Sequence, residues 1–345
     1  MEPCHELLSS PVLRAEEEDR QTHINFNTYD LGLSGGSRFI FELSNRLVER
    51  GHEVTITHLG REEQYTWFKP VLAKVINVGG LSLAERAFRK YLSKYDFDFE
   101  KAMVRAVPDC DVNVATYCFT AYPTLYSRKG RMFYLVQNYE PWFFDDKWLS
   151  TKAEITYSLP MTKLCVSNWL TQKIGGLSIG NGINLKRFKR LKEKKAREKE
   201  WKIMAFLRGI SWKQDDLVLE ALSKLDAPCR LLVPRRASDE ALVDMYNEAD
   251  ILVFGSKFEG FGYPPLEAMA CGTPVVTTNC AGVSEYAVHA VNAYVALDDR
   301  EHVAKAISTL LCNPSLYNRL VEGGLETARK FDFEKVVDRF ESCIS

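Results

Sequence analysis

The segment from Glu259 to Val276, EGFGYPPLEAMACGTPVV, places two carboxylates, Glu259 and Glu267, around a glycine-rich turn that opens a helix. Gly260 and Gly262 admit backbone angles closed to other residues. Pro264 and Pro265 suit the first turn of a helix, where a missing N–H costs nothing. Gly272 marks the stop. On this reading Glu267 lies in the first helical turn and Glu259 in the loop before it, so both acids face a helix N-terminus whose unpaired N–H groups attract anions. Hydroxyls and phosphates can meet at such a place. The plain alternative is an ordinary strand–loop–helix joint with solvated glutamates, and the order of the run argues against it.

Other residues suit the same chemistry. In FLRGISWKQDD, Arg208 and Lys213 follow a strand, and two cations in one loop can neutralise a departing diphosphate. A pair of unrelated surface cations is the competing explanation. In GLSGGSRFIFELSNRLVERGHEV, Gly32, Gly35 and Gly36 precede a helix that begins near Ser37 and ends at Gly51, and a glycine turn there lets backbone amides approach a phosphate. The pattern is neither a P-loop nor the full dinucleotide fingerprint, and Ser34 to Ser37 also reads as a simple turn and cap. Gln137, Asn138 and Glu140 end the strand RMFYLV and face the expected cleft, while Trp142 and Phe143 are assigned to core packing. Asp96-x-Asp98 sits in a charged helical stretch and is assigned to a solvated face, so no metal is expected. No nucleophile elbow or Cys/His signature points to hydrolysis.

These groups need elements to hold them. From His23 onward short apolar runs (HINFN, EVTITHL, AKVINV, DVNVAT, RMFYLV) alternate with helical patterns. That alternation predicts a parallel sheet with helices on both faces and a ligand site at the strands' carboxyl ends. A second cycle begins near Lys202 (KIMAFL, CRLLV, ADILVFG, TPVVTT, AYVAL). The predicted divisions are an N-terminal extension over 1–22, a first α/β domain over 23–180, a second over 181–330 and a terminal helix over 331–345. The charge run KRFKRLKEKKAREKEWK after IGNGINL reads as a domain junction and solvated face, with attraction to a membrane surface as the alternative. At 345 residues, 46% hydrophobic and 26% charged, the chain is too long for one compact core. A net charge of −1 gives no global reason to expect nucleic acid as a partner, and nine scattered cysteines without C-x-x-C spacing suggest reduced thiols rather than a zinc site or disulfide scaffold. No apolar run approaches the ~20 residues that span a bilayer, so a cytoplasmic protein is expected, working at most at the inner face of a membrane.

The spacing of Glu259 and Glu267 resembles the signature of glycosyltransferase family 4, retaining enzymes of the GT-B fold, with VSNWL, IGNGIN and ADILVFGS as further matches. ATYCFTAYP and VQNYEPWF resemble, within that family, the rhamnosyltransferase-like enzymes of surface polysaccharides. The resemblance implies two Rossmann-like domains facing across a cleft, with the C-terminal helix crossing back onto the first. It implies a nucleotide diphosphate sugar as donor and a glycan or lipid-linked hydroxyl as acceptor, without a cofactor. By it Glu259 orients the transferred sugar and Glu267 holds the ribose, with Phe261, Gly262, Tyr263 and Leu266 around the donor. Arg208 and Lys213 meet the diphosphate, Gly35 and Gly36 face it from the opposite domain, and Gln137, Asn138 and Glu140 lie on the acceptor side. Leu207 replaces the family's usual glycine before the arginine, and ATYCFTAYP holds no counterpart of the first-domain histidine many members carry. A short segment, PRRASDEALVDMYNE, before ADILVFGS implies a trimmed region near the nucleotide base. The alternatives are a sugar-nucleotide epimerase or phosphorylase of similar fold, or a silent nucleotide-sugar-binding subunit.

Overall fold

The structure, a computed structural model, describes residues 21–59, 67–78, 97–191, 200–235 and 237–345. Asp96, most of the N-terminal extension and most of the basic run beyond Leu191 lie outside the described residues. Strand β1 (His23–Thr28) shows how the first layer forms. Along it Ile24 and Phe26 alternate with Asn25 and Asn27, and all four are buried. The apolar face meets the end of the chain, where the Phe26 and Phe340 rings lie 5.8 Å apart. The polar face meets another helix, since Asn27 Nδ2 donates to Thr124 Oγ1 at 2.9 Å. A strand covered on both sides is the mark of a parallel α/β sheet.

Strands β2 (Glu53–His58), β3 (Lys74–Asn77), β4 (Val112–Ala115), β5 (Arg131–Val136), β6 (Thr162–Cys165) and β7 (Leu177–Ser178) complete a parallel sheet in the order β3-β2-β1-β4-β5-β6-β7. The second sheet holds β8 (Trp201–Ala205), β9 (Cys229–Leu232), β10 (Ile251–Phe254), β11 (Val275–Thr278) and β12 (Tyr294–Ala296) in the order β12-β11-β10-β8-β9, again parallel. Each order reverses once, between β1 and β4 in the first sheet and between β8 and β10 in the second. Crevices open at such reversals, beyond the strands' carboxyl ends.

The helices that matter for the site are α1 (Gly35–Glu49), α2 (Phe97–Ala106), α3 (Cys118–Ser127), α4 (Lys147–Thr156) and α5 (Asn168–Ile174) in the first lobe. The second lobe carries α6 (Asp215–Ser223), α7 (Asp239–Glu248), α8 (Tyr263–Ala270), α9 (Arg300–Cys312) and α10 (Pro314–Lys330). The last helix, α11 (Glu334–Ile344), returns to the first lobe. Its apolar face buries Val336, Val337, Phe340 and Ile344. Its polar face clasps α1, where Arg50 reaches Glu334 at 2.9 Å, Asp338 at 2.8 Å and Glu341 at 2.5 Å. His52 joins them through Glu341, 3.2 Å from Nε2.

The two crossings between lobes run side by side: Ile183 N donates to Phe331 O at 2.8 Å, and Phe333 N to Ile183 O at 3.2 Å. A Cβ on Gly182 would lie 2.8 Å from Phe331 O, so the strands of this joint approach too closely for a side chain there.

Under the first sheet lies a buried polar network. Asn113 Oδ1 accepts from Asn25 at 3.1 Å and Asn27 at 2.7 Å, its amide donates to Ser127 Oγ at 2.9 Å, and Thr57 donates to Asn25 Oδ1 at 2.8 Å. Removing the central acceptor leaves buried donors unpaired, which costs more than the lost bonds are worth. Asn113→Ala is expected to destabilise the chain by about 1–3 kcal/mol in chemical denaturation.

Candidate functional site

A cavity of about 600 Å³ opens between the lobes where the carboxyl ends of both sheets face each other. Thr28, Thr116 and Gln137 follow or end first-sheet strands at its wall, and Phe206, Phe254 and Ser256 do so from the second sheet. The volume suits a small organic ligand. The residues given a catalytic, donor or acceptor role from the sequence line it except Leu266, which is fully buried in the core and takes no place at the wall. Gly32 of the glycine turn lies outside the lining as well. For Leu266 the reason is helical phase: Tyr263, Pro264 and Glu267 share the crevice side of α8, and Leu266 turns inward, away from it.

The distance between lobes is set by backbone. A Cβ placed on Gly260 would fall 1.7 Å from the carbonyl oxygen of Gln137. The Gly260 carbonyl accepts from Ser167 Oγ at 2.8 Å and Trp169 Nε1 at 2.9 Å, both on the first lobe. Gly260 is therefore required by close approach, and not by a special backbone angle as its sequence context suggested. Gly262 does need one, with φ of 85° as the N-cap of α8. Nearby, Glu285 caps the start of α5 across the gap, accepting from Trp169 N at 2.8 Å and Asn168 Nδ2 at 3.0 Å.

Helix α8 starts at Tyr263, one residue before the prolines, so Glu267 sits in its second turn and not in the first. Two of the early amides are missing because the residues are prolines. The anion-binding capacity expected of this helix end is correspondingly smaller. Tyr263 donates to Asn181 Oδ1 at 2.7 Å, on the segment entering from the first lobe. Phe261 lies at the wall with its ring packed 5.2 Å from that of Tyr286. Gly35 and Gly36 form the first turn of α1 behind the N-cap Ser34, whose Oγ accepts from Ser37 N at 3.1 Å. Their lack of side chains admits the Tyr263 ring and the Gln137 amide, 3.0 and 3.2 Å from the places their Cβ atoms would take.

The charged groups fall into two sets. Lys213 Nζ is hydrogen-bonded to Glu259 Oε1, and Arg208 lies exposed at the wall with its guanidinium 5.4 Å from the Phe206 ring centre. Their loop is fastened by Gly209 N to Asp215 Oδ2 at 2.6 Å and by Lys257 N to Trp212 O at 2.8 Å. Glu267 belongs to the other set. One of its carboxylate oxygens accepts from Tyr246 OH at 2.7 Å, and the other lies 3.6 Å from Arg38 Nη1. Arg38 also meets Asp239 at 2.6 Å. Burial raises the Glu267 pKa, with Arg38 and the Tyr246 hydroxyl opposing the rise. Arg38, Asp239 and Tyr246 were missed in the sequence. The available signal was Arg38 and Glu42 interrupting the apolar run SRFIFEL at helical spacing.

On the first-lobe side, Asn138 uses its side chain locally, accepting from Tyr139 N at 2.8 Å. Glu140 is a buried clamp. Its Oε2 accepts from Cys118 N at 2.5 Å, at the start of α3, and from Tyr134 OH at 2.8 Å. Burial pushes its carboxyl up to about 7 against those two bonds. Thr116 and Tyr117 follow β4 at the cavity wall, within the stretch that lacks a histidine. Among the described residues all cysteines are free, no group of three or more His, Cys, Asp or Glu is arranged to hold a metal ion, and no helix is long and apolar enough to cross a membrane.

Two parallel-sheet lobes facing across a crevice, with the last helix returned to the first, define the GT-B fold. Sucrose-phosphate synthase from Thermosynechococcus elongatus superposes with a TM-score of 0.74 over 94% of this chain and 98% of that chain, at 16% identity. Anabaena Alr3699/HepE, solved in complex with UDP and glucose, does so with 0.75 over 94% and 99%, at 14% identity. Residues 184–327 match the family model of the glycosyl transferases group 1. An uncharacterized glycosyltransferase of Methanocaldococcus jannaschii is 34% identical over 107 residues, 31% of this chain and 30% of that protein. A D-inositol 3-phosphate glycosyltransferase of Saccharomonospora viridis is 33% identical over 115 residues, 33% of this chain and 26% of that protein. The chain thus spans less than a third of the length of these curated relatives.

Two outcomes follow from this geometry. Gly260→Val is expected to force the lobes apart while each keeps its fold, seen as an increased radius of gyration in small-angle scattering with unchanged circular dichroism. Glu140, with a folded pKa of about 7 against an ordinary 4.5, binds more protons folded than unfolded between those values. Its contribution to stability is complete below the lower value and is lost as pH rises through the upper, at a slope of up to about 1.4 kcal/mol per pH unit. Glu140→Gln should flatten that part of the stability–pH curve measured by urea denaturation.

Proposed function

We propose that the chain is a retaining, hexosyltransferase-like glycosyltransferase of family 4 that moves a sugar from a nucleotide diphosphate sugar to an acceptor hydroxyl on a glycan or lipid-linked molecule. The observation that carries the reading is that Arg208, the Lys213–Glu259 pair and Glu267 line one cavity between two lobes of GT-B fold. The match of residues 184–327 to the group 1 model supports it, because that stretch contains all four.

In this reading the second lobe holds the donor and the first presents the acceptor. The bond between the anomeric carbon and the β-phosphate oxygen breaks, and its electron pair stays with the phosphate. Arg208 and Lys213 meet that developing charge, which lowers the barrier, and no metal is invoked. The new bond from the anomeric carbon to the acceptor oxygen forms on the same face. The acceptor's proton passes to the departing phosphate, so no separate general base is assigned. Glu259 orients the sugar, and Glu267 accepts from the ribose hydroxyls. The Gly35 and Gly36 amides, at the start of α1, face the diphosphate from the other side. Water is kept out by the close seating of the lobes, which protects the activated sugar from hydrolysis. The rhamnosyltransferase-like character of the first lobe, the polysaccharide setting and work at the cytoplasmic face of a membrane are parts of the same proposal, carried by ATYCFTAYP and VQNYEPWF.

A thermal-shift screen of UDP, GDP, TDP and ADP sugars identifies the donor, because a ligand that binds only the folded state raises its melting temperature. With that donor, Arg208→Ala is expected to lower kcat by about 10²–10³-fold, the scale seen when one stabilising donor is removed from a developing charge. Unchanged turnover in a folded Arg208→Ala protein would remove the assignment.

A further inference from the structure

Arg38 belongs to α1 of the first lobe, yet the residue is only 8% exposed and its guanidinium lies against acids of the second. Nη2 is paired with Asp239 Oδ1 at 2.6 Å. Nη1 is buried without a hydrogen-bond partner, 3.6 Å from Glu267 Oε1. The Phe188 and Trp67 rings, 5.4 and 5.9 Å from the guanidinium carbon, hold the group in place. A buried donor left unpaired calls for an explanation, and both Arg38 and Glu267 line the cavity.

A separation of 3.6 Å is too long for a hydrogen bond between Nη1 and Oε1, but the pair offers a ligand one fixed donor and one fixed acceptor side by side. A hydroxyl can accept from the first and donate to the second. We propose that Arg38 is a positioning residue for the nucleoside half of the donor: from the opposite lobe it fixes Glu267 and joins it in binding the ribose diol, so that the ribose pocket is complete only when the lobes are seated together. This rests on the function proposed above.

The charge of Arg38 also bears on the protonation of Glu267. The other charged or titratable groups facing that carboxyl are Tyr246, Asp239, Arg187, Tyr263 and Tyr286. Burial and Asp239 favour its neutral form, while Arg38, the Tyr246 hydrogen bond and Arg187 favour the carboxylate. Loss of Arg38 therefore moves the pH below which the diol is poorly held to a higher value.

The experiment is calorimetric titration of the full chain with UDP, GDP, ADP and TDP, followed by comparison of the tightest ribonucleotide with its 2′,3′-dideoxy analogue. Wild type should prefer the ribose form by about tenfold or more, the scale of a hydrogen bond to a charged group. In Arg38→Met that preference should collapse towards one, with the acid limb of binding shifted to higher pH. Arg38→Lys should keep the wild-type pH limb, because the charge remains, but lose most of the preference, because the planar fork is gone. A preference equal to wild type in folded Arg38→Met, or in Arg38→Lys if the methionine variant does not fold, overturns the inference while leaving the glycosyltransferase reading intact. If wild type binds none of UDP, GDP, ADP and TDP, the underlying reading fails and this one with it; binding of TDP alone, whose deoxyribose carries no 2′-hydroxyl, overturns this inference and leaves the glycosyltransferase reading intact.

Discussion

The contact of Gly260 with the Gln137 carbonyl is the constraint on which the site depends. It brings the backbones of two lobes to a distance that admits no side chain at all. Once they are that close, the first lobe can satisfy the Gly260 carbonyl through Ser167 and Trp169, and Glu285 can cap a helix that is not its own. These are hydrogen bonds of ordinary strength, worth little singly. Together they define one seating, because each has a fixed geometry and all must be made at once. The loops that carry Arg208, Lys213 and Glu259 on one side, and the first turn of α1 with Gly36 and the segment at Gln137 on the other, thereby share a cavity whose dimensions are fixed by main chain.

A chain of alternating charges performs a related task on the other flank. Arg38 meets Asp239, Asp239 meets Arg187, Arg187 meets Glu42, Glu42 meets Arg46, and Arg46 meets Glu334. The sequence of partners passes from α1 to α7, to the segment joining the lobes, back to α1 and out to α11. Its inner members are buried, so the attraction between them is largely offset by the cost of removing them from water. The outer end, where Glu334 is half exposed, contributes little to stability for a different reason, since solvent screens it. Stability is therefore a poor account of the network. Breaking any inner pair would strand a buried charge, and that penalty enforces a single register of the helices.

The parallel sheets were legible because strand periodicity is local, and HINFN or ADILVFG carries its own alternation or apolar run. The Glu259–Glu267 motif was legible for the same reason, since turn and helix signals lie within it. Errors arose where position depended on distant residues. Glu267 shifted into the second turn because α8 begins at Tyr263, which is anchored by Asn181 from elsewhere in the chain. Gly260 looked like a conformational glycine, and only the Gln137 carbonyl reveals that the missing Cβ is the point. Glu140 lines the cavity, as its place after a strand suggested, but the engagement of its carboxylate by Tyr134 and Cys118 could not be read from the sequence. Arg38 was hidden by an apolar helix that gives no sign of what lies on the far side.

The two acids of the motif thus occupy unlike environments, and the difference suits unlike tasks. Glu267 is almost wholly buried, with one oxygen committed to Tyr246, which leaves it rigid and able to receive hydroxyls in only one direction. Glu259 shares the less enclosed wall with Lys213. An ammonium group carries three donors, so Lys213 can keep its bond to Glu259 while turning another proton towards a phosphate oxygen. Glu259 in turn retains lone pairs for a sugar hydroxyl. On the proposed reaction, one ion pair then couples the sugar to the leaving group: as charge accumulates on the phosphate, Lys213 is drawn towards it and the Glu259 carboxylate is left more strongly basic beside the sugar. A lone lysine could neutralise the phosphate, and a lone glutamate could orient the sugar. Only the pair lets the second interaction strengthen as the first is made.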